Sequence, residues 1–160
     1  TPSREMKQAR GEKVSVPSFK VTDSYKIESL LKDNNGAYEI EMEIQVADAS
    51  KISLNLQNEK GEQVSMYYDL LRKQFVMDRS KSGKVDFSND FPAVTAAPVH
   101  AGKTLRLRLF VDRSSIEAFG EDGKFVMTNL VFPSSPYNQM SFGTEGSGYT
   151  VSSFNVYKLR

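Results

Sequence analysis

Alternation of apolar and polar side chains with a period of two residues is the feature that most restricts the fold of this chain. It is clearest between residues 37 and 46. The apolar members of this segment are Tyr38, Ile40, Met42, Ile44 and Val46. Successive side chains of a β-strand point to opposite faces, so the segment has one apolar and one acidic face. The pattern predicts an antiparallel strand with one wet side, and we interpret Glu39, Glu41 and Glu43 as its solvated face.

Shorter segments with the same period follow along the chain, with turn-forming residues between them. Further strand candidates are 14–21, 52–56, 64–70, 74–77, 105–111, 115–119, 125–132 and 149–157. Asp122-Gly123 predicts a hairpin, whereas 89–102 and the glycine-rich segment 143–148 are interpreted as a long surface connection and a loop. Apart from the first ten residues, which are compatible with one or two helical turns, no segment has a convincing helical period. We therefore predict an all-β fold, a two-sheet antiparallel β-sandwich of jelly-roll or lectin-like type.

Composition limits the function classes open to such a domain. The chain has 160 residues, a formal net charge of +1 and no cysteine. The absence of cysteine excludes disulfides, thiolate metal sites and a cysteine nucleophile. The sequence contains no basic stripe of the kind that binds nucleic acid. It also contains no apolar stretch long enough for a helix that spans a membrane. We expect no cofactor.

A search for catalytic groups finds no convincing constellation. Asp112, Glu117 and Asp122 are the carboxylates available for glycosidase chemistry, but the first and last occupy turns, where aspartates commonly bond their own backbone. His100 is the single histidine and no Gly-x-Ser-x-Gly motif is present. We predict neither a catalytic site nor a metal site in this chain.

Tyrosines are the candidate residues for binding carbohydrate. Sugar-binding sandwiches place aromatic rings on an exposed face, and Tyr67, Tyr68, Tyr137 and Tyr149 are the candidates here. Tyr67 and Tyr68 are adjacent on a strand and must point to opposite faces. Packing of these rings in the core or against a partner domain is the other interpretation, and both stay open.

One segment, 105–133, carries a family resemblance. It reads LRLRLFVDRSSIEAFGEDGKFVMTNLVFP and strongly resembles the C-terminal domain of glycoside hydrolase family 32, which includes levanases, inulinases and invertases. The matched residues are Asp112, Arg113, Ser114, Ser115, Glu117, Phe119, Gly123 and Pro133. A second match runs from Tyr68-Asp69 through 75–83 (FVMDRSKSG) to Phe87 and Phe91.

The resemblance implies a larger parent protein with a five-bladed β-propeller followed by a β-sandwich. Residues 1–11 would be the linker from that propeller, and 12–160 would be the sandwich. The propeller motifs Asn-Asp-Pro-Asn, Arg-Asp-Pro and Glu-Cys have no match here. The chain alone is therefore expected to be inactive.

The resemblance further implies a structural module that packs against the propeller, with a fructan-binding module as the alternative. A homo-oligomer stays open as a further partner, and secretion, a periplasmic location or cell-surface display would come through the parent. Asp78, Arg79, Asp112 and Arg113 are predicted to build strand-to-strand corners by bonding turn backbone and neighbouring groups.

Overall fold

The computed structural model describes residues 10–30, 37–83, 94–99, 102–120, 125–131 and 133–159. Within these ranges the chain forms strands and no helix, and the strands build two antiparallel sheets, which confirms the predicted sandwich. Sheet 1 contains β1 (Arg10–Val16), β2 (Phe19–Val21), β4 (Tyr38–Gln45), β9 (Thr104–Val111), β10 (Ser115–Gly120), β11 (Phe125–Leu130) and β13 (Tyr149–Leu159). Sheet 2 contains β3 (Ser24–Ile27), β5 (Ala49–Gln57), β6 (Gln63–Asp69), β7 (Gln74–Asp78), β8 (Val94–Pro98) and β12 (Gln139–Gly146).

Strand order shows that the two ends of the chain meet in one sheet. Sheet 1 runs β1-β13-β4-β9-β10-β11, with β2 also paired to β13, and sheet 2 runs β3-β12-β5-β6-β7-β8. The last strand, β13, therefore lies between the first strands and β4. Strands β9, β10 and β11 form a meander, in which Gly120 pairs with Phe125 as the predicted hairpin requires.

The core lies between the sheets and is built from the apolar side of each alternating strand. On β4 the inward residues are Tyr38, Ile40, Met42 and Ile44, and all are buried. The sheets also touch along both sides of the sandwich. Phe19 of β2 stacks on Tyr25 of β3 with ring centroids 4.0 Å apart. On the opposite side, Asn129 Nδ2 of β11 donates to Thr95 Oγ1 of β8 at 3.0 Å.

Two loop predictions were wrong. The segment predicted as a long surface connection contains β8, an edge strand whose partner is β7. Its five residues include two alanines and a proline, which have weak strand propensity, so the pairing to β7 determines its conformation. The segment 143–148, predicted as a loop, contributes Gly143 to Gly146 to β12.

The described part of the chain opens with strand β1. Strand β1 begins at Arg10, two residues before the predicted start of the domain at residue 12. Strand β3 was not among the predicted strands. The remainder of the predicted linker, residues 1–9, lies outside the described residues.

Candidate interaction surfaces

The outer face of sheet 1 carries a ladder of ion pairs between two neighbouring strands. Glu41 and Glu43 of β4 lie directly opposite Arg108 and Arg106 of β9. Arg108 Nη1 is 2.8 Å from Glu41 Oε2 and 3.3 Å from Glu39 Oε2, and Arg106 Nε is 3.2 Å from Glu43 Oε2. Like charges along β4 are therefore compensated by opposite charges across the strand pair.

Glu39 departs from the prediction of a solvated acidic face. Its side chain is 0% exposed, whereas those of Glu41 and Glu43 are 28% and 34% exposed. Its direct neighbour on β9 is Phe110, which is itself only 7% exposed. A buried carboxylate needs an opposite charge, and the Arg108 guanidinium supplies it. The interpretation as a solvated face was thus wrong for Glu39.

Aromatic rings continue this outer face beyond the ion pairs. Phe110 of β9 and Phe119 of β10 meet edge to face, with ring centroids 5.5 Å apart. Glu117 lies opposite Phe110, and both Glu117 and Phe119 point away from the core, because Ile116 and Ala118 fill the inward positions. We call the outward side chains Glu39, Glu41, Glu43, Arg106, Arg108, Phe110, Glu117 and Phe119 the sheet 1 outer face.

Asp112 builds the corner between β9 and β10. Its Oδ1 accepts hydrogen bonds from the backbone N–H groups of Ser114 at 2.8 Å and Ser115 at 2.9 Å. The backbone closes the same turn, since the Asp112 N–H donates to the Ser115 carbonyl at 3.0 Å. Asp112 and Arg113 are both exposed. The carboxylate is thus occupied by its own turn rather than aimed at a second carboxylate.

The second Asp-Arg-Ser sequence lies after β7 and has a different environment. Asp78 Oδ1 accepts from the Ser80 N–H at 2.9 Å, which repeats the contact made by Asp112. Arg79, in contrast, is only 2% exposed, while its counterpart Arg113 lies on the surface. The two corners therefore share the aspartate interaction but not the position of the arginine.

Three of the four candidate tyrosines lie in the core. Tyr68, Tyr137 and Tyr149 are buried. Tyr68 packs on Phe75, and Tyr149 Oη donates to the Gly143 carbonyl at 2.9 Å. Burial raises the pKa of Tyr149 above its ordinary value. Buried rings present no face to a sugar, so these three tyrosines are no longer candidates for stacking on carbohydrate.

Tyr137 is the most connected of these rings. Its hydroxyl donates to the Ser82 carbonyl, and its own carbonyl accepts from Tyr38 Oη at 2.6 Å. Burial, assisted by the nearby Glu62 carboxylate, raises the pKa of Tyr137 despite the bond to Ser82. The residue thus links the connection before β12 to β4 of sheet 1 and to the turn after β7.

Tyr67 is the candidate that faces outward. It lies on β6 in sheet 2 and is half-buried. The Nζ of Lys51 on neighbouring β5 lies 4.2 Å from the centroid of its ring, in a cation–π contact. The periodicity identified the Tyr67/Tyr68 pair, but only the sheet arrangement shows which member faces out.

Sequence reasoning missed the chemistry that surrounds Tyr67. Strands β12, β5 and β6 place three rows of three outward residues side by side. The rows are Gly143, Ser53 and Tyr67; then Ser141, Asn55 and Ser65; then Gln139, Gln57 and Gln63. We call these residues the sheet 2 grid. None carries a charge, and all are partly exposed.

The described residues contain no group of three or more acidic or histidine side chains able to hold a metal ion. They also include no helix long and apolar enough to cross a membrane. His100, the single histidine, lies outside them.

Comparison with known proteins places the chain in a family. The family model for the C-terminal part of glycosyl hydrolases family 32 matches residues 5–158. A levanase of Bacillus sp. strain L7 is 35% identical over 165 residues, which cover all of this chain and 18% of the levanase. An extracellular exo-inulinase of Aspergillus ficuum is 40% identical over 90 residues, covering 55% of this chain and 17% of the relative.

Solved structures share the sandwich. The fructosyltransferase of A. japonicus has a TM-score of 0.81 at 16% identity and covers 100% of this chain, which spans 29% of that structure. The exo-inulinase of Aspergillus awamori has a TM-score of 0.72 at 24% identity, with 94% of this chain and 29% of that structure covered. The chain thus spans less than a third of these relatives. On its sequence match, the chain belongs to the C-terminal domains of glycosyl hydrolase family 32.

Proposed function

We propose that this chain is a non-catalytic module that packs against and stabilises an N-terminal catalytic domain, a β-propeller that acts on fructans or sucrose. The observation that carries the proposal is the outward direction of Glu117 and Phe119. Both belong to the segment that resembles the family, yet neither side chain fills the core of the sandwich. Contact with the catalytic domain accounts for the presence of these two residues at outward positions.

The chemistry of the sheet 1 outer face suits an interface between domains. Aromatic residues and arginine are enriched in protein interfaces, and this face holds Phe110, Phe119, Arg106 and Arg108. Each glutamate of β4 on this face contacts an arginine of β9, which lowers the cost of covering those carboxylates with another domain. The face also lies on the sheet that the chain enters through β1.

The proposal includes the absence of catalysis by this chain. Asp112 is engaged by its own turn, and the carboxylates of β4 are bound by arginines. We therefore expect the 160-residue chain to release no fructose from sucrose, levan or inulin. Measurable hydrolysis by the purified chain would contradict this part of the proposal. Relatives include extracellular exo-inulinases, and we propose that the parent protein is secreted as well.

A substitution at Phe119 tests the structural role. Phe119→Ala is introduced into the 160-residue chain and into the full-length protein that contains it, and the melting temperature of each is measured. We expect a larger loss in the full-length protein, because there the variant removes contact with the catalytic domain as well as with Phe110. Tyr67→Ala is the control. It removes an aromatic side chain from the other sheet and should lower the melting temperature by the same amount in both proteins.

Equal losses for Phe119→Ala in the two proteins would show that the ring acts only within the sandwich. A second experiment deletes this chain from the full-length protein. An unchanged melting temperature of the remaining catalytic domain would reject the stabilising role.

Fructan binding is the second candidate function. It is favoured by a different surface, the sheet 2 grid, in which uncharged hydroxyl and amide groups lie next to the outward Tyr67.

A further inference from the structure

The sheet 2 grid differs from other surfaces of this chain in its uniformity. Across three adjacent strands, its outward residues are serines, glutamines, an asparagine, one glycine and one tyrosine. Charged residues begin only at its borders. Lys51, Asp69 and Glu145 form the row beyond Tyr67, and Lys26 and Asp78 lie on the flanking strands. By contrast, the outer face of sheet 1 is dominated by ion pairs.

Hydrogen-bonding groups in the grid remain open to a ligand. The side chains of Ser53, Asn55 and Ser141 make no hydrogen bond to another described residue. Inside the grid, Gln57 Nε2 lies 3.4 Å from Gln63 Oε1, and Gln63 Nε2 lies 3.4 Å from Ser65 Oγ. Bonds of that length are weak and easily exchanged. Hydroxyl and amide side chains supply both donors and acceptors.

Small residues next to the Tyr67 ring leave room for a ligand on the surface of the grid. Gly143 and Ser53 occupy the row of Tyr67, so the two neighbouring positions hardly rise above the backbone. A Cβ built on Gly143 would lie at an ordinary contact distance of 3.6 Å from the Ser53 Cβ, so its absence leaves the surface lower at this position. Lys51 Nζ, above the Tyr67 ring, adds a donor at the border. The result is a shallow step next to an aromatic side chain.

These features select one class of ligand. An anion would find no cation within the grid, and an apolar protein surface would leave its amides and hydroxyls without partners. A neutral chain rich in hydroxyl groups meets both donors and acceptors, and its C–H surface has the edge of Tyr67 to pack against. We infer that the sheet 2 grid is a binding surface for an uncharged polysaccharide, in which Tyr67 supplies the aromatic side chain and Ser53 and Asn55 supply polar groups next to it. This inference rests on the second candidate function above.

Affinity electrophoresis of the 160-residue chain tests it, with levan, inulin and dextran in the gel as the actual probes. We expect levan or inulin to retard the wild-type chain. Tyr67→Ala and Asn55→Ala should each weaken binding by about three- to ten-fold, the range expected for one lost contact of this kind. Tyr157→Ala and Asn155→Ala are matched controls, since both residues lie on the outer face of sheet 1 and should leave retardation unchanged.

Ser65→Arg changes the surface of the grid without altering a core residue. It introduces a charge and a long side chain into the middle row of the grid and should abolish retardation while circular dichroism and the melting temperature stay at wild-type values. The inference is wrong if none of the three polysaccharides retards the wild-type chain, or if Ser65→Arg binds as well as wild type.

The same variant distinguishes a polysaccharide from two protein partners of the grid, namely a second copy of this chain and another domain of the full-length protein. If Ser65→Arg instead splits a dimer in size-exclusion chromatography, or lowers the melting temperature of only the full-length protein, the grid contacts protein and the inference is overturned. The structural role of the chain is tested separately at Phe119, on the opposite sheet. A failure of either proposal therefore does not imply a failure of the other.

Discussion

Tyr137 shows how single buried residues hold the connections of this sandwich in place. Its hydroxyl donates to the Ser82 carbonyl and its carbonyl accepts from Tyr38. Ser82 is fully buried, so no water replaces a lost partner at that carbonyl. The sequence makes this residue a candidate for sugar binding, but in the fold it joins the connection before β12 to β4 and to the turn after β7.

Tyr137→Phe should therefore destabilise the chain. Removing the hydroxyl leaves a buried carbonyl without its partner, which typically costs about 1–3 kcal/mol. Urea unfolding followed by circular dichroism measures the change. Tyr25→Phe is the control, because the Tyr25 hydroxyl makes no hydrogen bond to another described residue. Equal stability of Tyr137→Phe and wild type would contradict the argument.

Glu62 organises a second cluster of polar contacts at one end of the sandwich. Its Oε1 accepts from Asn58 Nδ2 at 2.9 Å, from the Ser134 N–H at 2.8 Å and from Ser134 Oγ at 2.9 Å. Burial by itself raises the pKa of Glu62, but these hydrogen bonds together outweigh it and hold the pKa below its ordinary value of 4.5.

The direction of this shift determines a pH dependence. A carboxyl group whose pKa is lower in the folded state stabilises the fold above its unfolded pKa and loses that contribution as pH falls through the folded pKa. The free energy of unfolding of wild type should therefore exceed that of Glu62→Gln by a constant amount above about pH 5.5, with the difference shrinking at pH values below 4.5. Denaturant titrations between pH 3 and pH 7 measure it. Glu28→Gln, at an exposed side chain, is the control, and a difference that grows on acidification would contradict the assignment.

At the scale of elements, close backbone approaches fix how the strands join. The link from β12 to β13 passes Gly148, where an added Cβ would lie 2.6 Å from the Val21 carbonyl oxygen of β2. That contact is with backbone, which has little freedom to move away. A glycine here permits β2 and β13 to pair immediately after the turn.

Gly148→Ala should destabilise the chain through this clash, by about 1–3 kcal/mol as is typical of overpacking. Gly102→Ala is the matched control, since nothing lies within 4 Å of a Cβ built there. The melting temperatures of the two variants provide the comparison. If Gly148→Ala melts no lower than Gly102→Ala, then β2 does not approach as closely as described.

Predictability from sequence also differs between elements. Strand β4 was predicted as 37–46 and observed as Tyr38–Gln45, because its alternation is complete and one side is apolar. Strand β8 was missed, because its pattern is short and its hydrogen bonds come from β7 rather than from any local preference. The same holds for the glycines of β12, which pair with β5 although glycine disfavours strands.

At the scale of the whole molecule, the fold depends on the last strand. Strand β13 lies between β1 and β4, and it buries Tyr149, Val151, Phe154 and Val156. Full burial of one such side chain is worth about 1.5–3 kcal/mol, so four of them contribute about 6–12 kcal/mol. This equals much of the total stability of an ordinary domain, about 5–15 kcal/mol.

A chain that ends at Gly148 should therefore show no cooperative unfolding transition in urea. A chain that starts at Pro17 and lacks β1 is the control. It loses an edge strand whose Val14 and Val16 are only partly buried, so it should keep a transition at a lower midpoint. Cooperative unfolding of the chain without β13 would show that the sandwich forms before its C-terminal strand is in place.

The amino-acid sequence by itself determined the strands with complete alternation, the sandwich class and the family, because period two and the segment 105–133 are properties of contiguous residues. Tertiary structure alone decided which strands are neighbours. Only the register of β4 against β9 pairs the glutamates with arginines, and only the order β12-β5-β6 brings Tyr67 and the other uncharged residues of the grid together. It also placed Tyr68, Tyr137 and Tyr149 in the core. The physical reason is that alternation assigns a side chain to one of two faces, while the strands packed beside it determine what that face contains.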